Sequence, residues 1–534
     1  MDITNEGTSV YHRTLAAYSR STDGHLGDCF GKKADLIRAA WPEIWSHMAS
    51  INENIASNSG LAKGLRIEET SGIPNVPGSL VAWEINGTRL GTVVGLILKG
   101  GHAEELPGAP LFDEAFLRIL LPRIRSNIDS MSCAVEDRGP LVQRIIDLFE
   151  RTLLYRSPND RWFDVGRSRF QSKVEFFVSR NLRLELCLPA FPCKSSNSRK
   201  VLGVVPDKGE ELALRRLHEF VQLVREIYDP GARVLIVSDG HVFSDCIGVD
   251  DDAVDTYGTK LKELNAAISK SISGSADRVQ FQSLVDLFNL KDYNGDSDMQ
   301  DLKDRALSAL PHYLATTFTE EAELCRRMLI TACQPSHEGL RSQLTGSDPA
   351  LLALYRGFSR FMLEDLAMHP ATQSLSRSKQ KKLSSKVAFE MMLRNQAYSN
   401  LVELMFPSSV RLSIHAHSNT GPKFAIRLFD PSTTRVVDSL DRQHEAGSMH
   451  DLLHIPTPWH NCIVQFEGNN VVYVTKAVAV EKYLSANSSG WRKDGDLRNG
   501  RGAYFFFKPM KPANTAVVPG YAAPIVARGN VVVE

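Results

Sequence analysis

The stretch RVLIVSDGH at 233–241 constrains the fold of this chain more than any other feature. It follows a predicted helix from about Glu210 to Tyr228, in which apolar residues recur at three- and four-residue spacing. An earlier apolar run, RLELCLPAFP at 183–192, precedes that helix, so the order is strand, helix, strand. Because a continuous run of Val, Leu and Ile is typical of a strand covered on both faces, the pattern predicts a βαβ unit in a parallel sheet.

The rest of the chain favours an α/β fold class, with a Rossmann-like, mostly parallel sheet that carries helical insertions. Segments of helical period lie between about 297 and 407, and short apolar strands resume after them. We place this main domain at 140–510 and a C-terminal tail at 511–534. At 1–139 we expect a separate N-terminal α+β lobe, where Asn-Gly at 86–87 between two apolar runs predicts a hairpin turn. A length of 534 residues is consistent with more than one core.

Composition limits the kinds of binding partner and the cellular compartment that we expect for this chain. Lys+Arg and Asp+Glu are both 62, so no net charge would hold the chain on a nucleic acid or an anionic membrane, and small polar molecules are the expected partners. The eight cysteines are scattered without a CxxC pair, which indicates reduced thiols. The N-terminus does not resemble a signal peptide, and no apolar run reaches the roughly 20 residues of a membrane span, so we expect a cytoplasmic protein.

The polar cluster that ends the strand at 233–237 is the first candidate site. Ligands of open α/β sheets bind beyond the carboxyl ends of the strands. We predict that Gly240 allows a sharp turn there, which leaves Asp239 and His241 pointing out of the sheet as an acid/base pair. The alternative is a solvated turn in which Asp239 caps the next segment. The acidic run at 250–252 lacks the spacing of a calcium loop and predicts the start of a helix.

A second candidate is the segment RLSIHAHSNTGPKFAIRLF at 411–429. On a strand, Arg411, His415 and His417 share one face, which predicts a basic wall lined by imidazoles. The alternatives are a solvated strand end or half of a metal site. A metal would need a third ligand, for which the candidates are Asp239, Asp245 and His460.

A third candidate is the basic loop PCKSSNSRK at 192–200, which follows a predicted strand. Lys194, Asn197, Arg199 and Lys200 offer the donors that suit a phosphate monoester. The loop matches neither a Walker motif nor a dinucleotide fingerprint, and an ordinary solvated loop is the alternative. In LYRGFSRFMLEDL at 354–366, Arg356 is placed to reach a carboxylate, although a buried helix with an anchored arginine is the commoner meaning of such a pattern.

Five separated strings carry a resemblance to a known family. They are KVLGVVPDKGEE, VLIVSDGHVFSDCIGVDD, YRGFSRFMLEDL, VRLSIHAHSNTGPKFAIRL and TPWHN. Together they resemble the isocyanide synthases of the pyoverdine and dityrosine biosynthesis family, and within it the fungal xanthocillin-type enzymes. The resemblance covers about 140–510 and leaves out the N-terminal lobe.

The resemblance implies that the amine of an L-amino acid of the tyrosine, tryptophan or valine class becomes an isocyanide, with ribulose 5-phosphate as the carbon donor. Such a reaction needs a phosphate anchor, an acid/base group and a cation for the amino-acid carboxylate. From residue chemistry on the family motifs, we assign the phosphate to Lys194, Asn197 and Lys200, and the proton transfers to Asp239 and His241. We also assign catalytic or substrate-binding roles to a further set: Asp245, Arg356, Arg411, His415, His417, Lys423 and His460.

The resemblance implies neither a redox cofactor nor a metal. An iron/2-oxoglutarate oxygenase or a cytochrome P450 that acts on the product would be a separate protein. Three alternatives stay open: an enzyme of the same family that forms an N-formyl amino acid, a metal-dependent hydrolase that uses the His/Asp cluster, and a non-catalytic protein that binds copper or a metabolite.

Overall fold

The computed structural model describes residues 138–486, together with four isolated strands. Gaps within that range lie at 159, 180, 273–277, 294–299, 301–302, 305, 307–309, 315, 334–336, 347–348, 407–408, 421–422, 442–455 and 467–469.

Three of the isolated strands lie near the N-terminus: β1 (Leu65–Thr70), β2 (Ser79–Ile85) and β3 (Thr88–Gly95). They form an antiparallel sheet in the order β1-β2-β3. Because β2 and β3 pair across the two residues 86–87, the predicted hairpin is confirmed. The rest of the predicted N-terminal lobe up to 137, and the tail at 511–534, lie outside the described residues.

The remaining elements follow in chain order. The first half comprises α1 (Gly139–Thr152), a π-helical turn (Trp162–Gly166), α2 (Arg167–Val178), β4 (Leu184–Pro189), α3 (Lys208–Ile227), β5 (Ala232–Val237), α4 (Gly240–Ile247), α5 (Asp251–Ser271), β6 (Val279–Gln282), α6 (Leu284–Phe288) and a 3-10 turn (Leu290–Tyr293). The second half comprises α7 (Glu320–Cys333), α8 (His337–Thr345), α9 (Pro349–Leu366), α10 (Arg377–Met405), β7 (Val410–Ser413), β8 (Lys423–Ala425), β9 (Thr434–Val436), a 3-10 turn (Pro458–His460), β10 (Cys462–Phe466), β11 (Val472–Thr475), α11 (Ala477–Ala486) and β12 (Phe505–Phe507).

A five-stranded parallel sheet in the order β6-β5-β4-β7-β8 forms the centre of the molecule. The predicted βαβ unit is β4, α3 and β5, and the predicted α/β class with a mostly parallel sheet is confirmed. The chain moves outward from β4 in one direction to β5 and β6, and in the other to β7 and β8. The strand order therefore reverses between β4 and β7, which is where ligands of such sheets bind.

Helix α3 shows why the sequence folds as predicted here. It begins with a capping box, in which the Asp207 carboxylate accepts from the Gly209 amide at 2.8 Å and the Glu210 carboxylate accepts from the Asp207 amide at 2.9 Å. Its apolar stripe, which includes Leu214 and Leu217, is fully buried in the main core. Capping and periodicity thus agree, and the predicted start at Glu210 is only two residues late.

Helices α7, α9 and α10 are the helical insertions that the sequence predicted between 297 and 407. Tyr398 on α10 donates its hydroxyl proton to the carbonyl oxygen of Val237 at 2.8 Å, which fixes α10 to the carboxyl end of β5. The insertion therefore packs on the part of the sheet where a ligand is expected.

The short strands after 407 do not all join the central sheet. Strands β7 and β8 do, whereas β10 and β11 pair with β9 and β12 in a second, mixed sheet of order β12-β10-β11-β9. That sheet has a small core of its own, which includes Val464, Tyr473 and Val480. Periodicity predicts strands but not their partners, so the division into two sheets is a finding of the structure.

Five cysteines have described side chains, and all five are free and buried: Cys187, Cys193, Cys246, Cys325 and Cys462. Burial raises the pKa of each thiol, so they pack as small apolar side chains. Within the described part of the chain, no helix has both the length and the apolar content that crossing a membrane requires.

Candidate active site

Asp239 is the second residue beyond β5 and the N-cap of α4. Its side chain makes no capping hydrogen bond, and its buried Oδ1 has no hydrogen-bond partner among the described residues. The side chain as a whole is partly exposed. Burial raises the pKa of the carboxyl to about 7. A carboxyl group of this kind can both take up and release a proton near neutral pH.

His241 does not point out of the sheet as predicted. It is the second residue of α4, it is buried, and its Nε2 lies 3.1 Å from Oδ1 of Asp255 on α5. Gly240 also has another role than the predicted sharp turn, because a Cβ there would lie 2.3 Å from the carbonyl oxygen of Pro192. The glycine lets the start of α4 pack against the loop that follows β4.

Two buried arginines that sequence reasoning missed hold α4 in place. Arg326 on α7 donates to the carbonyl oxygen of His241 at 3.1 Å and forms a two-pronged ion pair with Asp251 at 2.8 Å on both arms. Arg394 on α10 donates to the carbonyl oxygen of Val242 at 3.0 Å. The sequence signal that could have identified these two arginines is an arginine inside an apolar segment of helical period, as in CRRMLI and MMLRNQ.

Asp245 belongs to this framework and not to an open ligand surface, contrary to the predicted role. Its carboxylate binds Arg394 at 2.5 and 2.9 Å, and its Oδ2 lies 3.2 Å from Nδ1 of His312. Burial alone would raise the pKa of Asp245, but Arg394 and His312 hold it well below its usual range. Asp251 begins α5, as the acidic run predicted, and its bond to Arg326 ties that start to α7.

Lys194 is buried and already has three acceptors. Its ammonium lies 2.9 Å from Asp207, from Glu210 and from the carbonyl oxygen of Pro458. Burial would lower the pKa of Lys194, but the two carboxylates outweigh it and raise that pKa. Since an ammonium has three protons, the structure leaves none for the predicted phosphate contact. Lys194 instead ties the start of α3 to the segment at 457–460.

Asn197 shapes the same loop. Its amide nitrogen donates to Oδ1 of Asp365 at 3.0 Å and to the carbonyl oxygen of Glu364 at 3.3 Å, and its Oδ1 accepts from the Arg199 amide at 3.0 Å. These contacts fasten the loop to the end of α9. Asn197 therefore acts mainly by fixing the positions of the neighbouring loop residues.

Lys200 lies at a basic cavity of about 420 Å³ between this loop, α9, α10 and α11. Its ammonium is buried 2.7 Å from Oδ1 of Asp365 and lies 3.8 Å from the centre of the Phe361 ring. Two of the strings that carry the family resemblance, at 200–211 and 355–366, meet here. The charged residues that line the cavity are Arg199, Lys200, Arg360, Glu364, Arg377 and Lys476.

His460 lies beside this cavity, and its described contacts are with groups of the cavity side and not with the histidine segment with which it was predicted to act. Its ring contacts that of Phe361, with centroids 4.8 Å apart. Burial, followed by the charges of Lys200, Lys194 and Lys476, holds the pKa of His460 well below its usual value. The imidazole is therefore neutral. Arg356 is exposed on α9, where no described contact places it in the site.

Lys423 and Arg411 form a cationic pair on neighbouring strands, where they are in register. Both reach Ser399 on α10: the Lys423 ammonium donates to its Oγ at 2.8 Å, and Nη1 of Arg411 donates to its carbonyl oxygen at 2.8 Å. Burial, and then the charge of Arg411, lower the pKa of Lys423 to about 7. Such a desolvated pair favours an anionic ligand such as a carboxylate.

The two histidines of the segment lie in a turn and not on one face of a strand, because β7 ends at Ser413. The amide of His417 donates to the carbonyl oxygen of His415 at 3.1 Å. Burial, and then Lys423, lower the pKa of His417 to about 4. His417 is thus a neutral neighbour of the cationic pair.

The loops that follow β4 and β5 are joined to the 457–460 segment by direct contacts. The hydroxyl of Ser238 donates to the carbonyl oxygen of Phe191 at 3.0 Å, and the rings of Phe191 and Trp459 are 5.0 Å apart. Phe191 has a positive φ of 58°, which is strained for a bulky residue and typical of functional sites. Asp239 and the basic cavity are therefore linked through one packed set of loops.

A metal site finds no support in this geometry. Within the described residues, no three His, Cys, Asp or Glu side chains come together in a group that could hold a metal ion. The His/Asp set that was the basis of the hydrolase alternative is divided between Asp239, the α4 framework and the β7 turn.

Comparison with known proteins assigns the chain to a family. The model of a family described as pyoverdine/dityrosine biosynthesis protein matches residues 174–486, which is more than half of the chain. This chain therefore belongs to the pyoverdine/dityrosine biosynthesis family, and the family resemblance is confirmed.

Individual relatives agree with that assignment. The spore wall maturation protein DIT1 of Saccharomyces cerevisiae is 46% identical over 367 residues, which cover 68% of this chain and 67% of that protein. The L-tryptophan isonitrile synthase AmbI2 of Fischerella ambigua is 30% identical over 305 residues, which cover 57% of this chain and 74% of that protein. The narrower expectation of a xanthocillin-type enzyme stays a prediction.

The fold is similar to that in the crystal structure of the PvcA protein from Pseudomonas aeruginosa. The TM-score is 0.52 at 23% sequence identity, and the match covers 69% of this chain and 99% of that one. At this identity the likeness concerns the fold alone.

Proposed function

We propose that this chain is an isocyanide synthase that converts the amine of an L-amino acid into an isocyanide, with ribulose 5-phosphate as the carbon donor. The names of its relatives support the product class, since they include L-tryptophan and L-tyrosine isonitrile synthases. The amino acid is expected to belong to the tyrosine, tryptophan or valine class.

In the proposed reaction, the amine condenses with the ketone of the sugar phosphate and water leaves. A base then removes a proton, and both carbon–carbon bonds of the former ketone carbon break. That carbon stays on the nitrogen as the isocyanide carbon, and the other four sugar carbons leave as a one-carbon aldehyde and a three-carbon phosphate, with no net oxidation or reduction. The chemistry needs proton transfers at a water-poor site and no redox cofactor. We further propose that any later oxidation is carried out by a separate oxygenase or cytochrome P450.

Asp239 is the observation on which the proposal depends most. It lies at the carboxyl end of a central strand, its buried oxygen has no hydrogen-bond partner among the described residues, and its pKa is raised to about 7. We assign the proton transfers to Asp239 and the amino-acid carboxylate to the pair of Arg411 and Lys423. His415 and His417 are candidates for a second proton-transfer step beside that pair.

The test is to incubate the purified protein with ribulose 5-phosphate and each proteinogenic amino acid, and to search for the isocyanide by mass spectrometry. Carbon-13 NMR of fresh product made from labelled sugar phosphate separates an isocyanide from an N-formyl amino acid. An isocyanide from at least one amino acid is expected. The absence of product with the whole panel would refute the proposal, and an N-formyl product from the outset would replace it with the alternative.

A further inference from the structure

Removing Lys194 from the predicted phosphate site leaves the sugar phosphate without an anchor. The chain nevertheless has a concave basic surface at the end of the same loop. The cavity beside Lys200 has a volume of about 420 Å³, within the range of roughly 300–1,000 Å³ in which small-molecule pockets fall.

The charges at this cavity favour a dianion. Five of the described lining residues are basic: Arg199, Lys200, Arg360, Arg377 and Lys476. Two carboxylates oppose them: Glu364 lies 2.8 Å from the Lys476 ammonium, and Asp365 lies 2.7 Å from that of Lys200. The formal surplus is therefore three positive charges, which suits a phosphate monoester with its charge of about −1.5 to −2.

The backbone around the cavity adds to the positive potential and fixes its shape. Helix α10 begins at Arg377, so the positive end of its dipole adjoins the cavity. The first amides of α11 donate to the loop: Ala477 to the carbonyl oxygen of Lys200 at 3.1 Å, and Val478 to that of Arg199 at 2.9 Å. These main-chain contacts fix the conformation of the basic loop, so the loop forms without a bound ligand.

The lining also selects among phosphorylated molecules. Its uncharged members are Asn197, Leu363, Ala367, Met368 and Val478, so no aromatic ring among the described lining residues could stack on a nucleobase. Leu363, Ala367 and Met368 would contact a carbon chain. These features favour a small sugar phosphate over a nucleotide.

We propose that this cavity binds the phosphate group of a small sugar phosphate, with Arg360 and Arg377 contacting the phosphate and Lys200 supplying fixed charge beneath it. That the sugar is the co-substrate of the reaction at Asp239 rests on the proposed function. Phosphate binding itself does not. The packed loops from Phe191 to His460 join the cavity to the strand end and keep the two in a fixed relation.

The test is calorimetric titration of the full chain with ribulose 5-phosphate, with ribulose and with inorganic phosphate. The variant is Arg360→Ala/Arg377→Ala, because both side chains are exposed and their loss leaves the buried pair of Lys200 and Asp365 intact. Lys382→Ala is the matched control, since Lys382 is an exposed cation on α10 and is not among the lining residues.

The wild-type chain and the control should bind ribulose 5-phosphate and inorganic phosphate, and ribulose much more weakly. In the double variant the affinity for ribulose 5-phosphate should fall about 10- to 100-fold, as expected for lost charged hydrogen bonds. Unchanged affinity in the double variant, or equal binding of ribulose and ribulose 5-phosphate to the wild type, would overturn the inference.

The two proposals fail in different ways. Phosphate-dependent binding that the double variant loses, without isocyanide from any amino acid, would support the cavity and refute the synthase. Isocyanide formation in the double variant with an unchanged requirement for ribulose 5-phosphate would support the synthase and overturn the inference.

Discussion

Asp239 shows how packing can adapt the carboxyl group of one residue to proton transfer at neutral pH. Gly240 brings the start of α4 against the carbonyl oxygen of Pro192, so the carboxylate before it lies near the loop after β4. With Oδ1 buried and no donor to it among the described residues, the ionised form is disfavoured and the pKa rises to about 7. The same group in water would be ionised at pH 5 and would be a poor base.

Replacing Asp239 by asparagine keeps the shape and removes the titrating group, so the turnover number should fall by about 10²-fold or more. If Asp239 acts as the base, only its ionised form is active, and wild-type activity should fall as the pH drops through about 7. The measurements are rates of isocyanide formation across pH, with circular dichroism to check the fold. Asp229→Asn, at a fully exposed carboxylate, is the control. Activity of Asp239→Asn within a few-fold of wild type would remove Asp239 from the mechanism.

The role of Lys194 follows from the groups that its ammonium contacts, and its positive charge alone does not reveal that role. Lys194→Met should leave Asp207 and Glu210 buried without their cation, and the free energy of unfolding should fall by about 3–5 kcal/mol. Urea unfolding measures the loss, with the exposed Lys382→Met as the control. Near-normal stability together with a raised requirement for ribulose 5-phosphate would instead make Lys194 the phosphate anchor.

At the scale of elements, α4 depends on charges that come from distant parts of the chain. Its eight residues are all buried, and two of its carbonyl oxygens accept from Arg326 of α7 and Arg394 of α10. Arg394 also pairs with Asp245, the one acid of α4. Because α4 carries Asp239 at its start, the helical insertion at 320–405 positions the candidate base. This gives the insertion a part in function that its apolar stripes alone do not indicate.

Arg394→Met should uncouple α4 from α10. It leaves Asp245 buried with only His312, so we expect a loss of about 3–5 kcal/mol in the free energy of unfolding. The double variant Arg394→Met/Asp245→Leu removes the charges of that pair but leaves Glu390, the other buried partner of Arg394 at 2.9 Å, without its cation, so it should recover part of that loss. Chemical unfolding of the single and double variants measures the coupling. A double variant no more stable than Arg394→Met would show that the ion pair does not hold α4.

The elements also show what the sequence could and could not predict. The strand at 233–237, helix α3 and the hairpin at 86–87 follow from period, capping and turn chemistry, which are local, and all three are confirmed. The pairings of Lys194, Asp245 and Arg394 depend on groups 13 to 264 positions apart in the chain, one of which is the main-chain carbonyl of Pro458. A one-dimensional pattern shows that such groups are charged, but not whether a partner already occupies them.

At the scale of the whole molecule, the site draws on both sheets. The central parallel sheet supplies Asp239, just beyond the end of β5, and Arg411, within β7. The segment at 457–460 and the start of α11 flank the second sheet and close the basic loop from the other side. The segment from about 138 to 486 therefore contains every described residue to which we assign a role. The fold match covers 99% of the bacterial PvcA chain with 69% of this one.

A shortened chain of residues 138–510 should accordingly fold and keep the proposed activity within a few-fold of the full chain. The boundary at 138 precedes α1, whose buried residues Ile145, Ile146 and Phe149 belong to the main core, so a start after 152 should not fold. Expression, thermal unfolding and isocyanide formation of chains starting at 138 and at 153 measure this. If the chain starting at 138 is folded but inactive while the full chain is active, the N-terminal segment contributes to catalysis and the domain boundary predicted near 140 is wrong.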